Sequence, residues 1–182
     1  MKRCIFSTLV CLASLSFIAI AQETEQKKDS GEFTRLTIDL GVVVSDIDAA
    51  IEFYTEVVGF QETGGFGVEA DFAKYAGLTD GKSLDIKVLK LGNGPSATSL
   101  KLMEVEGESA KADHSYIEST LGVSYITIAV QSMDRAMERI RKAGIEPVAN
   151  GPATIPGTKM DLTIIRDPDG NMVELVGPAS AK

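Results

Sequence analysis

Cysteine, histidine and tryptophan are almost absent from this chain of 182 residues. Its two cysteines, Cys4 and Cys11, lie in an apolar N-terminal segment, and the chain has one histidine, His114, and no tryptophan. Beyond that segment there is no thiol, which excludes disulfides, cysteine nucleophiles and cysteine-ligated zinc there. A catalytic pair that needs an imidazole must use His114. Because His114 lies in a polar stretch between two patterned halves, we expect it at the surface.

Positive charge is also in short supply. The chain has 18 Lys and Arg against 26 Asp and Glu, a formal net charge of −8 at pH 7. An excess of negative charge disfavours binding to nucleic acid or to an anionic membrane, and it keeps a protein soluble. The sequence also contains no phosphate loop and no dinucleotide fingerprint. No nucleic-acid partner is therefore expected.

The N-terminal segment has the composition of an export signal. Two basic residues precede an apolar run, Cys4 to Ile20, and Ala19 and Ala21 offer the small side chains that a signal peptidase requires. This pattern predicts a signal peptide over residues 1–21, cleaved before Gln22, and a periplasmic or extracellular protein. An uncleaved membrane anchor is the alternative, although the run is short for one.

The region after the predicted cleavage site divides into a linker and one ordered domain. Residues 22–33, QETEQKKDSGEF, are polar and charged without a pattern, which is typical of a flexible linker. The ordered domain is expected over residues 34–178. Cleavage removes two basic residues and leaves 16 against 26 acidic ones, a net charge of −10, so no membrane contact is expected afterwards.

The ordered domain begins with a strand that runs into a helix, in the stretch LTIDLGVVVSDIDAAIEFY. Alternate residues of the strand are apolar: Ile38, Leu40, Val42 and Val44. This alternation predicts that they pack under the helix. Ser45 and Asp48 fit a capping box at the start of the helix. The helix is expected to end at Gly59.

The second half of the chain repeats this pattern. The stretch SYITIAVQSMDRAMERIRKAG, residues 124–144, aligns without a gap on residues 38–58. The last strands of the two halves, LKLM and VELV, also correspond. Shared element order and spacing predict two tandem βαβββ modules, about residues 34–106 and 124–178, in an α+β domain.

Four polar residues occupy equivalent positions in the two modules. Strand alternation turns Asp39 away from the helix, and its counterpart in the repeat is Tyr125. In the last strands, Lys101 and its counterpart Glu174 also point away from the helices. If the two sheets curve toward one another, all four side chains line a single cavity.

These elements resemble the vicinal oxygen chelate (VOC) superfamily, which includes glyoxalase I, bleomycin-resistance proteins, methylmalonyl-CoA epimerase and extradiol dioxygenases. The resemblance rests on DLGVVVSDIDAAIEFYTEVVGF, YITIAVQSMDRAMERIRKAGIEPV and RDPDGNMVELV, and it covers nearly all of the ordered domain. It implies the glyoxalase/bleomycin-resistance/dioxygenase fold, in which two modules form a cupped mixed sheet. It also implies metal ligands on the first and last strands of each module, usually His, Glu or Gln, His and Glu.

The resemblance assigns those ligand positions to Asp39, Lys101, Tyr125 and Glu174. Only Glu174 is the residue usual in the family, and Asp39 replaces a histidine with another oxygen ligand. The Lys101 ammonium offers no lone pair and repels a divalent cation, and Tyr125 could coordinate only as a phenolate. No metal is therefore favoured; if one binds, Asp39 and Glu174 are its expected ligands.

The favoured interpretation is a small-molecule site in the cup between the modules. Its predicted ligand-binding residues mix apolar and polar groups: Asp39, Lys101, Met103, Tyr125, Thr127, Met172 and Glu174. Of these, Glu174 could move a proton while Lys101 stabilises an enolate, as the family's metal would. A simpler alternative is a buried ion cluster in which Lys101 lies between two carboxylates.

Two other functional classes stay open. One is a metal-dependent lyase, isomerase or dioxygenase of the VOC superfamily, for example a glyoxalase (lactoylglutathione lyase)-like enzyme. The other is a non-catalytic interaction domain, and the resemblance makes a homodimer an open alternative, since family members often pair to complete or flank their cups. Whether the protein catalyses a reaction does not follow from the sequence.

Overall fold

The computed structural model describes residue 31, residues 33–107 and residues 109–179. The predicted signal peptide and most of the predicted linker lie outside the described residues. All helices and strands that are described belong to one unit, which begins at Thr37. Within the described part of the chain, no helix is long and apolar enough to span a membrane.

Module one contains a four-stranded sheet and two short helices. Its elements, in chain order, are β1 (Leu40–Val43), α1 (Ile47–Glu52) with a π-helical continuation (Phe53–Val58), β2 (Gln61–Val68), α2 (Ala70–Tyr75), β3 (Leu84–Leu91) and β4 (Thr98–Glu104). The strand order is β1-β4-β3-β2. The β1–β4 pair is parallel, and the other two pairs are antiparallel.

Module two has the same order of strands and first helix, without a described counterpart of α2. Its elements are β5 (Tyr125–Ala129), α3 (Met133–Lys142), β6 (Ala153–Thr154), β7 (Met160–Arg166) and β8 (Met172–Pro178). The strand order β5-β8-β7-β6 reproduces that of module one, again with one parallel pair, β5–β8. The predicted α+β fold of two tandem modules with mixed sheets is confirmed.

The start of module one differs in two details from the sequence prediction. Ile38 is 70% exposed rather than packed under the helix, because β1 begins only at Leu40. The predicted capping box is wrong as well: the N-cap is Asp46, whose side chain accepts a hydrogen bond from the Ala49 amide at 2.9 Å. The hydroxyl of Ser45 is used elsewhere, in a contact with module two. The predicted end of the helix at Gly59 is confirmed, with a φ of +106° that favours glycine.

The core lies between the helices and one face of each sheet. Alternate residues of the last strands are fully buried there: Leu100, Leu102, Val173 and Leu175. Residues of the helices pack against the same core: Tyr54, Met133, Met137 and Ile140. Because β-strand side chains alternate, Lys101 and Glu174 point to the opposite face, as predicted.

Hydrogen bonds also join the two modules. The guanidinium of Arg139, on α3, donates to the Val57 and Val58 carbonyls at 3.0 and 3.3 Å, where the π-helix ends. The buried Tyr54 hydroxyl donates to Asp167 at 2.9 Å. The helix of module one is therefore held by side chains of module two.

Candidate functional site

In module one, the two predicted ligand positions form an ion pair. The Lys101 ammonium lies 3.0 Å from a carboxylate oxygen of Asp39, and their side chains are 34% and 17% exposed. Asp39 immediately precedes β1, and Lys101 is the strand partner of Gly41 on β4. The register of the parallel pair thus brings the lysine to the beginning of β1.

In module two, the predicted residues form a hydrogen bond instead. The Thr127 hydroxyl donates to Glu174 at 2.7 Å, and the two residues are strand partners on β5 and β8. Thr127 is the counterpart of Gly41 in the repeat. The backbone pair of Thr127 and Glu174 therefore occurs at the same register as that of Gly41 and Lys101. Thr127 has a hydroxyl group, whereas the side chain of Gly41 is a hydrogen atom. The hydroxyl gives Glu174 a hydrogen-bond donor on the neighbouring strand.

This arrangement does not fit the family's metal site. A Lys ammonium that already contacts Asp39 brings positive charge and no lone pair to the position where a cation would bind. Within the described residues, no group of three or more His, Cys, Asp or Glu side chains is placed to hold a metal ion. The donor set that remains, Asp39 and Glu174, contains no imidazole.

Tyr125 and Met172 lie apart from these two pairs, in a cavity of about 290 Å³ where β1 and β5 approach each other. We call this the apolar cavity. Tyr125 is 42% exposed, whereas Met172 is 5% exposed. Met103 is half-buried on β4, on the face that bears Lys101. The structure therefore divides the predicted site into the Asp39–Lys101 pair, the Thr127–Glu174 pair and this cavity.

Sequence reasoning did not place His114 at a cavity. This histidine is half-buried at the surface, and it lines both the apolar cavity and a neighbouring cavity of about 450 Å³. We call the larger one the polar cavity. The polar residues around His114 gave no pattern that could reveal this, since its burial depends on how the connecting segment lies against the modules.

Asp169 is the most strongly bound carboxylate at the polar cavity. It accepts hydrogen bonds from the Ser45 amide and hydroxyl at 2.9 and 2.6 Å, and the Lys111 ammonium lies 3.4 Å away. Burial alone would raise the pKa of Asp169, but these hydrogen bonds and the lysine charge outweigh it and hold the pKa below its usual value.

Asp167, in the same turn, is buried, and its carboxylate accepts four hydrogen bonds. Three come from within the turn, from the Asp169 amide and from the amide and side chain of Asn171, and the fourth comes from Tyr54. Burial, together with the adjacent Asp167 carboxylate, raises the pKa of Tyr54 far above its usual value. Tyr54 is therefore a neutral hydrogen-bond donor that fixes the two modules, not a proton-transfer group.

The fold and these positions define a known class of proteins. The Glyoxalase/Bleomycin resistance protein/Dioxygenase superfamily matches residues 37–175 of the chain. The chain belongs to this superfamily. No curated protein is similar enough to the chain to match it.

Solved structures show the same fold at low sequence identity. A glyoxalase family protein from Bacillus cereus is 22% identical with a TM-score of 0.64, over 81% of this chain and 95% of that one. A glyoxalase/dioxygenase from Nostoc punctiforme is 22% identical with a TM-score of 0.56, over 84% and 96%. A mutant glyoxalase I from Zea mays is 20% identical with a TM-score of 0.58, over 79% of this chain and 46% of that one. These similarities establish the fold alone.

Proposed function

We propose that this protein is an exported VOC-domain protein that binds a small molecule in the cup between its modules, without a catalytic metal. The observation that supports this proposal is the 3.0 Å contact between Lys101 and Asp39. By the family resemblance, these two residues occupy two of the ligand positions, and their contact leaves one with a positive charge and the other already paired. This supports a degenerate metal site that retains a polar floor.

The floor offers a small molecule several kinds of contact. Lys101 is one-third exposed, so its ammonium can still donate to an acceptor group of a ligand. Glu174 is half-buried and offers a carboxylate, and the half-buried Met103 offers apolar surface. Small-molecule sites combine apolar surface with a few polar groups that orient the ligand. If a reaction occurs, Lys101 is the group that would stabilise an enolate, and Glu174 the group that would move the proton.

Export is the second part of the proposal. Its support is the N-terminal sequence, where basic residues, an apolar run and small residues at Ala19 and Ala21 follow in the order of a signal peptide. N-terminal sequencing of the protein recovered from the medium or periplasm is expected to begin at Gln22. Full-length protein retained in the membrane fraction would contradict export and indicate an anchor.

Metal content is the first measurement. Residues 22–182, purified without a chelator, are expected to contain far less than one equivalent of metal, with no change in melting temperature in Zn²⁺, Ni²⁺, Mn²⁺ or Fe²⁺. Near-stoichiometric metal that Glu174→Ala removes would refute the proposal and favour a metal-dependent lyase, isomerase or dioxygenase.

Ligand binding is the second measurement. A small-molecule library is expected to contain compounds that raise the melting temperature, and Lys101→Met should abolish the increase. Lys142→Met, which removes an exposed lysine from α3, is the matched control and should leave the increase intact. If no compound changes the melting temperature, the interaction-domain alternative is favoured, and a homodimer should then be sought by sedimentation.

A further inference from the structure

The apolar and polar cavities lie next to each other. Both are lined by Val43, His114 and Asn171, so each of these residues lies at the junction of the two. The two cavities lie where β1 ends, β5 begins and the connection between the modules passes. Neither has Asp39, Lys101 or Glu174 in its lining.

The apolar cavity has the size and walls for a cyclic hydrocarbon group. Aliphatic side chains form much of its lining: Leu40, Val42, Val43, Val123, Ile126 and Met172. Its volume is about 290 Å³. An engineered protein cavity of about 150 Å³ holds benzene, so this space corresponds to about two fused rings.

Among the described residues, the charged side chains that line the polar cavity carry more negative than positive charge. They are two carboxylates, Glu104 and Asp169, and one ammonium, Lys111. Lys111 lies 3.4 Å from Asp169, and Ser45 occupies both oxygens of that carboxylate. In the part of the chain that the structure describes, Glu104 accepts one hydrogen bond, a long one of 3.4 Å from the Ile47 amide. Of the two described carboxylates, Glu104 is therefore the better placed to bind a cation from solution.

We propose that these two cavities together bind a small amphiphilic amine. Its ring system occupies the apolar cavity, and its ammonium group contacts Glu104 in the polar cavity. His114 and Asn171, at the junction, supply hydrogen-bonding groups beside the link between the two parts. This inference does not depend on the proposed function, because the residues that decide it are different.

Three probes that share one ring system test the assignment. They are 1-naphthylmethylamine, 1-naphthalenemethanol and 1-naphthoate, which present a cation, a neutral hydroxyl and an anion. We expect the amine to bind the mature protein at least about tenfold more tightly than the alcohol in calorimetry at low salt, and the naphthoate to bind least. A hydrogen-bonded charge pair is worth about 1.5–3 kcal/mol, which corresponds to tenfold or more.

Two substitutions test the location. Val43 is 47% exposed and lines both cavities, so Val43→Phe should fill them and abolish binding without disturbing the core. Val148→Phe, at a valine that is 42% exposed and lines neither cavity, is its control. Glu104→Gln should reduce the amine to the affinity of the alcohol, whereas Glu106→Gln should not.

The possible results separate clearly. The assignment is supported if the amine is preferred and if both Val43→Phe and Glu104→Gln weaken its binding while their controls do not. It is overturned if no probe binds, if naphthoate binds as tightly as the amine, or if Val43→Phe leaves binding unchanged. Thermal melts of every variant establish that it is folded before its affinity is compared.

Discussion

The two modules share a backbone register but use it for different chemistry. Lys101 and Glu174 occupy matched positions of the last strands, but Lys101 forms an ion pair with Asp39, which precedes β1, whereas Glu174 accepts a hydrogen bond from Thr127 on β5. The strand partners are equivalent, since Gly41 pairs with Lys101 as Thr127 pairs with Glu174. The comparison shows that the fold determines where these side chains lie, while their chemical identity determines what they can bind.

The turns before the last strands differ as well. In module two, the turn at Asp167–Asn171 contacts module one through Tyr54 and Ser45. In module one, the equivalent turn, residues 92–96, is exposed. Both turns connect antiparallel strands. The turn of module two also holds the two modules together, whereas the turn of module one is exposed to solvent.

Asp167→Ala should have the largest effect. It removes a buried carboxylate and leaves the Tyr54 hydroxyl and the amides of its own turn without their acceptor, so we expect a loss of about 3 kcal/mol in the free energy of unfolding. Asn93→Ala, in the exposed turn of module one, should change it by less than about 0.5 kcal/mol. Urea denaturation measures both, and similar losses would contradict the contrast between the turns.

Double-mutant cycles should distinguish the two pairs on the strands. For Asp39→Asn with Lys101→Met we expect a coupling free energy of about 1 kcal/mol that decreases in 1 M salt, because the interaction is between charges. For Thr127→Val with Glu174→Met, which removes the acceptor, we expect about 0.5–1 kcal/mol with little dependence on salt. If both coupling free energies depended equally on salt, the contrast between an ion pair in module one and a hydrogen bond in module two would be wrong.

Asp169→Asn should have the smallest effect, and that effect should depend on pH. The pKa of Asp169 is lower in the folded protein than its ordinary value of 3.8, so its ionised form stabilises the fold. The stabilisation is complete at pH values above the ordinary pKa of 3.8. It is lost as the pH falls through the lower pKa of the folded state. We expect a difference of less than about 1 kcal/mol between wild type and variant at pH 7, because the group is near the surface.

The pH series for that comparison is best run by urea denaturation between pH 7 and pH 2.5. The wild type should approach the stability of Asp169→Asn at the acidic end. Asp46→Asn, which keeps a hydrogen-bond acceptor at the N-cap of α1, is a suitable control. A difference that grows as the pH falls would contradict the direction of the pKa shift.

The sequence by itself determined the repeat, the fold class and the face on which Lys101 and Glu174 lie. These follow from local periodicity, since side chains alternate along a strand whatever the strand packs against. The resemblance to the superfamily supplied the expected ligand positions, and residue type alone predicts that Lys101 cannot be a ligand there, because an ammonium has no lone pair to donate.

Only the tertiary structure decided which of these residues meet and where the cavities lie. The bond from Ser45 to Asp169 spans 124 positions of the chain, and that from Tyr54 to Asp167 spans 113. His114 lines two cavities because the connection between the modules lies beside β1 and β5. Such contacts depend on how two separately patterned modules pack together, and periodicity within either module contains no information about that packing.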